Sequence, residues 1–450
     1  MRIGNLEDPH IRRRIYGWVA VALFFIGLGL MSVKARYGYR DRRFDFACSD
    51  GKYYYAYVAS VFVDGTIDSE IMWRAWGYPN DAAKPLDVFG HLKNIYPIGI
   101  SLTVIPSFLV AHVASFAIHG VTHSGRFAPD GYSILYQLFN FAWINFLAWA
   151  TFVMLDSLMA RYFNLKGTAI TLGILGAWLG TQYLYHALRF PLMSVVVAPF
   201  WATALIYMVA KAVDRLEESR QVSWHWAGIV FCFAMAFVCR NTNVIFATFL
   251  IYPFYLLIRA GLLPRLLART PLLLLGCVPV LLQMYVWKYH SGHFISNSYG
   301  REAQFYWLHP AFWQIMFSLR AGMFVWVPVW TLGTVGAILY LRGTRGSWML
   351  GCYLASFLII WYVNSAYWAW PFSNYPNRGF LELIGLPAIG LGLLIQHTEQ
   401  ALARRRLVLG LLVLGTLFTI AMGLAYDARR VPRYGDVVNA MGPWGARWAR

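Results

Sequence analysis

The chain has 450 residues, of which 59% are hydrophobic and 13% are charged; its mean hydropathy is +0.50 and its formal net charge is +18. This number of charged residues is too small to cover the surface of a soluble protein of this length. A soluble enzyme is therefore excluded, and lipid-facing helices are indicated. The basic residues are spread through short loops, which is typical of cytoplasmic anchoring and does not indicate nucleic-acid binding.

The first apolar segment, 16–33, follows the basic cluster Arg12, Arg13 and Arg14. We interpret it as a retained signal anchor, because it is long and only a weak small-residue cleavage site follows it. A helix needs about 20 apolar residues to cross about 30 Å of hydrocarbon. By that criterion we place the later apolar segments at 96–119, 131–155, 168–185, 191–212, 224–240, 241–258, 270–288, 321–341, 348–364, 378–396 and 405–425.

Segment 96–119 decides the orientation of everything after it. If it crosses the membrane, the basic loops that follow 191–212, 241–258, 321–341 and 378–396 all face outward, against the positive-inside bias. If it lies along the outer face or dips into it, those loops become cytoplasmic. We therefore predict an all-α polytopic membrane protein with about 11 transmembrane helices, a single membrane domain over 1–425 and a short basic tail over 426–450.

This arrangement gives a long first outer loop, 34–130, in which the stretch SDGKYYYAYVASVFVDG predicts a helix over about 50–63. Helical spacing puts Asp50, Tyr54 and Tyr57 on one face, and a carboxylate at a helix N-terminus is favoured in its ionised form. An ionised carboxylate can act as a general base, although Asp50 could equally be a helix cap and the tyrosines an interfacial belt. Lys93, before 96–119, could pair with a lipid phosphate or merely extend to the surface.

Further polar groups fall in the other predicted outer regions. His186 and Arg189 occupy a short turn, and Arg240 another; each needs a partner near the hydrocarbon, which could be a substrate phosphate, a protein carboxylate or lipid headgroups. Two aromatic-rich loops offer amide, carboxylate and guanidinium groups that suit a sugar ring and a phosphate. Their candidate substrate-binding residues are Glu302, Arg320, Asn364, Trp368, Asn377 and Arg378. Arg378 and Glu382, at i and i+4, could instead form an ion pair.

The local spacing of histidine and cysteine residues indicates no metal site. There is no HxH, HExxH or CxxC pattern in the sequence, and four of the five cysteines lie in apolar segments. We therefore expect no metal and no other cofactor.

Seven stretches taken in order resemble the bacterial branch of the C-type glycosyltransferase superfamily (GT-C), whose members include the lipid A aminoarabinose transferase and the protein O-mannosyltransferases. They are SDGKYYYAYVASVFVDG, YPIGISLTVIPSF, DGYSILYQ, LGTQYLYHALRFPLMS, RNTN, SLRAGMFVWVPV and NSAYWAWPFSNYPNRGFLE. The resemblance implies a GT-C fold with juxtamembrane helices at about 50–63 and 96–119. It also implies a polyprenyl-phosphate sugar donor, with Asp50 as the catalytic base. The family often has a second acidic residue where this sequence has His186 and Arg189, so a paired-acid scheme is not expected.

These features predict an inverting glycosyltransferase in the bacterial inner membrane, with its active site facing the periplasm. The expected partners are a polyprenyl-phosphate sugar, a glycan, lipid or protein acceptor, and membrane lipids, but not nucleic acid. Two alternatives remain open: a transporter or flippase of a lipid-linked or small polar substrate, which is a different class of protein, and a related enzyme, a polymerase or ligase that uses a lipid diphosphate. A non-catalytic scaffold would not need an acidic helix start beside a cluster of outer arginines.

Overall fold

The computed structural model describes residues 6–37, 46, 49–75, 85–296, 304–319, 321–368, 370, 375, 377–428 and 430–431. Across these residues the chain is helical and has no β-strand, only two isolated bridges. The α-helices are α1 (Pro9–Tyr37), α2 (Gly51–Ala59), α3 (Glu70–Ala75), α4 (Gly99–Thr122), α5 (Ile134–Phe163), α6 (Gly167–Leu179), α7 (Gln182–Arg189), α8 (Ser194–Ser219), α9 (His225–Cys239), α10 (Ile251–Arg259), α11 (Leu263–Leu267), α12 (Thr270–Gly276), α13 (Val278–Ser291), α14 (Gln314–Phe317), α15 (Met323–Trp326), α16 (Pro328–Leu339), α17 (Ser347–Ala366), α18 (Gly385–His397) and α19 (Leu402–Asp427).

Tighter or wider helical turns adjoin three of these elements. A π-helical turn, Ser60–Asp64, extends α2 until Gly65 ends it in the left-handed region with φ 68°. This agrees with the predicted helix over about 50–63. The 3-10 segments Asn241–Leu250 and Arg378–Leu383 precede α10 and α18.

Seven of the described helices are long and apolar enough to cross a membrane, and the pair α12 and α13, bent by 51°, forms an eighth if it counts as one span. Four more apolar helices, α6, α9, α16 and α18, have only 12 to 15 residues. At about 1.5 Å per residue these four extend roughly 18–23 Å, less than the hydrocarbon thickness. The chain is therefore a helical integral membrane protein, and the count of eleven crossings stays a prediction.

Small residues set the closest helix packing in the bundle. α18 lies between α6 and α16, and a Cβ built on Gly390 would overlap the carbonyl oxygen of Gly333 on α16. On the other side of α18, a Cβ on Gly173 of α6 would lie 2.6 Å from the carbonyl oxygen of Ala388. Within lipid, association depends on such close van der Waals contact because the hydrophobic effect between helices is weak.

Charged residues at one end of the bundle form a network of ion pairs. Asp214, near the end of α8, lies 2.8 Å from Arg161 at the end of α5 and 3.1 Å from Arg345 before α17. Arg345 also lies 2.7 Å from Glu217. Further pairs join Arg12 to Asp156 and Lys166 to Glu399. This is the end that the basic loops predict to be cytoplasmic.

α4 packs antiparallel on only the first half of α5. The contacts that fix its register are Trp143 Nε1 donating to Thr103 O at 2.9 Å, Ser107 Oγ donating to Asn140 Oδ1 at 2.7 Å, and a hydrogen bond between His112 and Tyr136. In that register Gly99 lies level with residue 146 or so, roughly 25 Å short of the end of α5 at Phe163. Both ends of α4 thus lie in the half of the bundle where α5 begins. That α4 dips into one leaflet stays a prediction, and its 24 residues are long enough to cross.

Candidate functional site

A carboxylate and a guanidinium meet at the start of α2. The Asp50 side chain makes no capping hydrogen bond to the helix that follows it. Its Oδ2 instead accepts a hydrogen bond from Arg378 Nη2 at 3.2 Å, and the two side chains are 27% and 14% exposed. Arg378 Nη1 also lies 3.6 Å from Met193 Sδ. The cap interpretation therefore does not describe this carboxylate, which Arg378 holds at a position that solvent still reaches.

The tyrosines of α2 hold Asp50 in place by anchoring the helix. Tyr54 is buried and donates a hydrogen bond to Ser194 Oγ at 3.1 Å, while its carbonyl accepts one from Ser101 Oγ at 2.6 Å. Tyr57 is also buried and lies 3.3 Å and 3.2 Å from the carbonyl oxygens of Asn94 and Tyr96. Both hydroxyls thus bind protein groups of α8 and of the loop before α4. Contact of either tyrosine with a substrate stays a prediction.

His186 is fully buried behind Arg378. Its Nε2 lies 3.3 Å from the Tyr375 carbonyl oxygen, and its Nδ1 has no hydrogen-bond partner among the described residues. Burial, with a further contribution from the nearby charge of Arg378, lowers the pKa of His186 to about 3. The imidazole is therefore neutral at physiological pH and acts on Arg378 as an uncharged neighbour.

Two arginines that needed partners have protein carboxylates. Arg189 Nε lies 2.8 Å from Asp427 Oδ2 at the end of α19, and the same carboxylate accepts a hydrogen bond from Tyr185 at 2.9 Å. Arg240 Nη1 donates to Glu382 Oε1 at 2.7 Å. The i, i+4 spacing suggested that Glu382 pairs with Arg378. In the structure Glu382 pairs with Arg240 instead. A protein carboxylate, one of the three predicted kinds of partner, therefore pairs with each of these arginines.

The predicted residues of the last aromatic loop have mixed positions. Asn364 Nδ2 donates to the Gly379 carbonyl at 3.2 Å, and Asn377 Nδ2 donates to the carbonyls of Ile315, at 2.9 Å, and Ala321. These two buried amides fix the backbone on either side of Arg378. Trp368 is 40% exposed and remains accessible. Glu302 and Arg320 lie outside the described residues.

A cleft of about 430 Å³ opens beside α2, two turns along from Asp50. Its wall includes Tyr57, Lys93, Tyr96, Gln283 and Trp287. Lys93 is exposed, so its ammonium group can meet an anion that enters the cleft. Since Tyr57 lies seven residues after Asp50, the cleft and the carboxylate are roughly 10 Å apart along the helix axis.

Three residues that could hold a metal ion adjoin the same cleft. One ligand atom each from Asp87, His91 and His290 lies within 4.8 Å of the others. Sequence spacing missed this cluster because His290 is about 200 residues further along the chain, and it also missed Asp427 as the partner of Arg189. No local motif connects such residues; only the packing of α13 and α19 brings them to the site.

All of these groups lie at the end of the bundle opposite the Asp214 network. The site combines a reachable carboxylate, a paired guanidinium, a lysine-bearing cleft and an exposed tryptophan, which together suit proton acceptance beside an anionic, ring-bearing ligand. Comparisons with protein-family models, curated proteins and solved structures found no match to this chain. The GT-C resemblance therefore remains a prediction that rests on the seven sequence stretches.

Proposed function

We propose that the protein is an inverting glycosyltransferase that moves a sugar from a polyprenyl-phosphate donor to an acceptor hydroxyl. The reaction would occur on the outer face of the bacterial inner membrane. The observation that carries the proposal is the Asp50 carboxylate, which is not used as a helix cap, remains partly exposed and lies 3.2 Å from Arg378. An acceptor hydroxyl needs such a base, and an anionic donor needs such a cation.

The transfer is a single displacement at the anomeric carbon. The acceptor oxygen forms a bond to that carbon while its proton passes to the Asp50 carboxylate. The bond from the anomeric carbon to the phosphate oxygen breaks, and its electron pair leaves with the lipid phosphate from the opposite face. Lys93 and Arg378 stabilise the charge that grows on the phosphate, with Arg320 as a further candidate. Phosphate is a good leaving group, so one carboxylate suffices where glycoside hydrolysis uses two.

The test is turnover of Asp50→Asn with a polyprenyl-phosphate sugar and purified protein. We expect a loss of about 10²–10⁴-fold, because the amide keeps the size of the side chain but is not a base. Asp64→Asn is the matched control: Asp64 is also paired with an arginine, Arg74, near the end of the same helical stretch. Near wild-type turnover by Asp50→Asn, with an unchanged melting temperature, would remove Asp50 as the base.

A transporter or flippase is the second candidate, and broken helices are the observation that favours it. The chain bends by 51° between α12 and α13, which together could form one interrupted span. Transporters place such breaks at a substrate site near the bilayer midplane. Flux of a polyprenyl-phosphate sugar across proteoliposomes, without any acceptor, would favour transport; turnover without flux would favour the transferase.

A further inference from the structure

We propose that Asp87, His91 and His290 form a binding site for a divalent transition-metal ion of the zinc class. Asp87 Oδ2 lies 2.9 Å from His290 Nδ1 and 3.3 Å from His91 Nδ1. In a tetrahedral zinc site, bonds of about 2.0–2.2 Å put neighbouring ligand atoms roughly 3.3 Å apart. The two separations from Asp87 are therefore already close to those that a shared ion requires, and all three ligand atoms lie within 4.8 Å of one another.

The loop from Pro85 to Lys93 holds the Asp87 carboxylate in position. Asp87 Oδ1 accepts backbone hydrogen bonds from Phe89, at 2.8 Å, and His91, at 3.0 Å, and the Lys93 amide donates to the Pro85 carbonyl at 2.7 Å to close the loop. These bonds occupy Oδ1 and direct Oδ2 toward the two imidazoles. Ligands of real metal sites are fixed by outer hydrogen bonds of this kind.

The two histidines are arranged in a way that a simple ion pair does not explain. A carboxylate–imidazole pair needs one histidine, and His290 Nδ1 already makes that hydrogen bond to Asp87. His91 Nδ1 also faces Asp87 Oδ2. This nitrogen atom is buried and makes no hydrogen bond among the described residues. The His91 ring is held there by stacking on Tyr289, with ring centroids 4.0 Å apart. An ion between the three groups would bind Nδ1 of both imidazoles and Asp87 Oδ2 at once.

The ligand set decides which metal fits. Two imidazole nitrogens and one carboxylate oxygen suit zinc, nickel or cobalt, whereas magnesium and calcium prefer oxygen ligands alone. Three protein ligands leave one tetrahedral position, and Asp87 and His290 both line the cleft, so water or an anion from the cleft would complete the coordination. The ion would also fasten the Pro85–Lys93 loop to the end of α13. None of this depends on the proposed transferase activity.

The experiment is zinc binding by the full chain, purified without a histidine tag and stripped with a chelator. Titration with Zn²⁺ against a chromophoric competitor should give one tight site per chain, and excess magnesium should not displace it. His290→Gln and Asp87→Asn should each weaken binding at least about 10-fold, the lower range seen when even outer-shell groups are removed. Asn at position 87 can still accept the two backbone hydrogen bonds, so the loop should keep its shape.

His293→Gln is the matched control, because His293 is exposed and lies three residues after His290. It should bind zinc as the wild type does, and zinc should raise the melting temperature of these two proteins but not of the ligand variants. Equal zinc binding by all four proteins, no binding above background, or displacement by magnesium would each overturn the proposal. If Asp87→Asn does not fold, His290→Gln alone decides. Since zinc binding is measured without substrate, its failure and the failure of Asp50 as a base are separate results.

Discussion

At the scale of single residues, Arg378 and Arg240 pair with carboxylates that are far away in sequence. Arg378 pairs with Asp50, 328 positions earlier, and Arg240 pairs with Glu382, 142 positions later. The effect of a single substitution in such a pair is hard to interpret, because it removes one charge and leaves the opposite charge in the site. A loss of activity then does not by itself show a catalytic role.

The Arg240–Glu382 pair is expected to be structural. The two side chains are 17% and 4% exposed, so Glu382→Leu removes the carboxylate beside a mostly buried guanidinium and should lower the free energy of unfolding by about 3–5 kcal/mol. The double variant Arg240→Met, Glu382→Leu should recover most of that loss, because replacing both charges by apolar groups is often neutral. Unfolding in mixed micelles measures both proteins. A double variant no more stable than Glu382→Leu would contradict this account.

His186 should make stability depend on pH. Its folded pKa, lowered to about 3 by burial and by Arg378, lies below the ordinary value of about 6.5. Between these values the unfolded chain binds a proton that the folded chain does not, so stability is full above about pH 6.5 and falls as the pH drops toward 3. Melting temperatures at pH 7.5 and 5 should differ less for His186→Gln than for the wild type. Equal pH dependence of the two proteins would show that His186 contributes nothing to it.

The sequence predicted the kinds of residue at the site better than their partners. It identified Asp50, Arg240 and Arg378, because charged groups near apolar segments stand out without any structure. Local spacing suggested Arg378 with Glu382, yet the actual partners come from other helices. Long-range pairing depends on how α2, α7, α18 and α19 pack, and one sequence carries no direct record of that.

At the scale of elements, hydropathy located the apolar segments but not their breaks. The prediction of one continuous helix over 168–185 is wrong, because α6 ends at Leu179 and Thr181 caps the separate helix α7. Segment 321–341 likewise divides at Val327, where φ is −134° and ψ is 71°, before Pro328 begins α16. A window average is insensitive to one residue with unsuitable backbone angles, although a proline or a threonine cap marks the place.

The close approach of α16 and α18 gives a prediction at this scale. Gly390→Leu should destabilise the bundle by about 1–3 kcal/mol or more, because its side chain would meet the backbone at Gly333, which cannot move aside cheaply. Gly410→Leu is the control, since a Cβ there meets no atom within 4 Å. Unfolding in mixed micelles should therefore separate the two variants. A Gly390→Leu protein as stable as Gly410→Leu would mean that the helices can separate without loss.

At the scale of the whole molecule, polar groups gather at two ends with an apolar bundle between them. The Asp214 network occupies one end, and the Asp50 site occupies the other together with the start of α4. This segregation follows from the charge pattern that the sequence already shows, so the orientation could be predicted from it. The depth that α4 reaches could not, because its composition matches that of a crossing helix.

Single-cysteine labelling in a cysteine-free background tests the orientation. A cysteine at position 123, just after α4, should react with a membrane-impermeant reagent from outside intact cells or spheroplasts. A cysteine at position 219, at the end of α8, should react only after the membrane is opened. The reverse pattern, with position 219 labelled from outside and position 123 labelled only after the membrane is opened, would agree with the arrangement in which α4 crosses and would contradict the one in which it dips.

Asp50 and Arg378 are 328 positions apart, and this separation also constrains the order in which the site forms during synthesis. A ribosome adds about 5–20 residues per second, so the Asp50 carboxylate exists for tens of seconds before its partner has been synthesised. Asp427, which lies 238 positions after Arg189, is synthesised later still. The Asp50 site is therefore completed late, because segments that are inserted early wait for Arg378 and Asp427 to be synthesised.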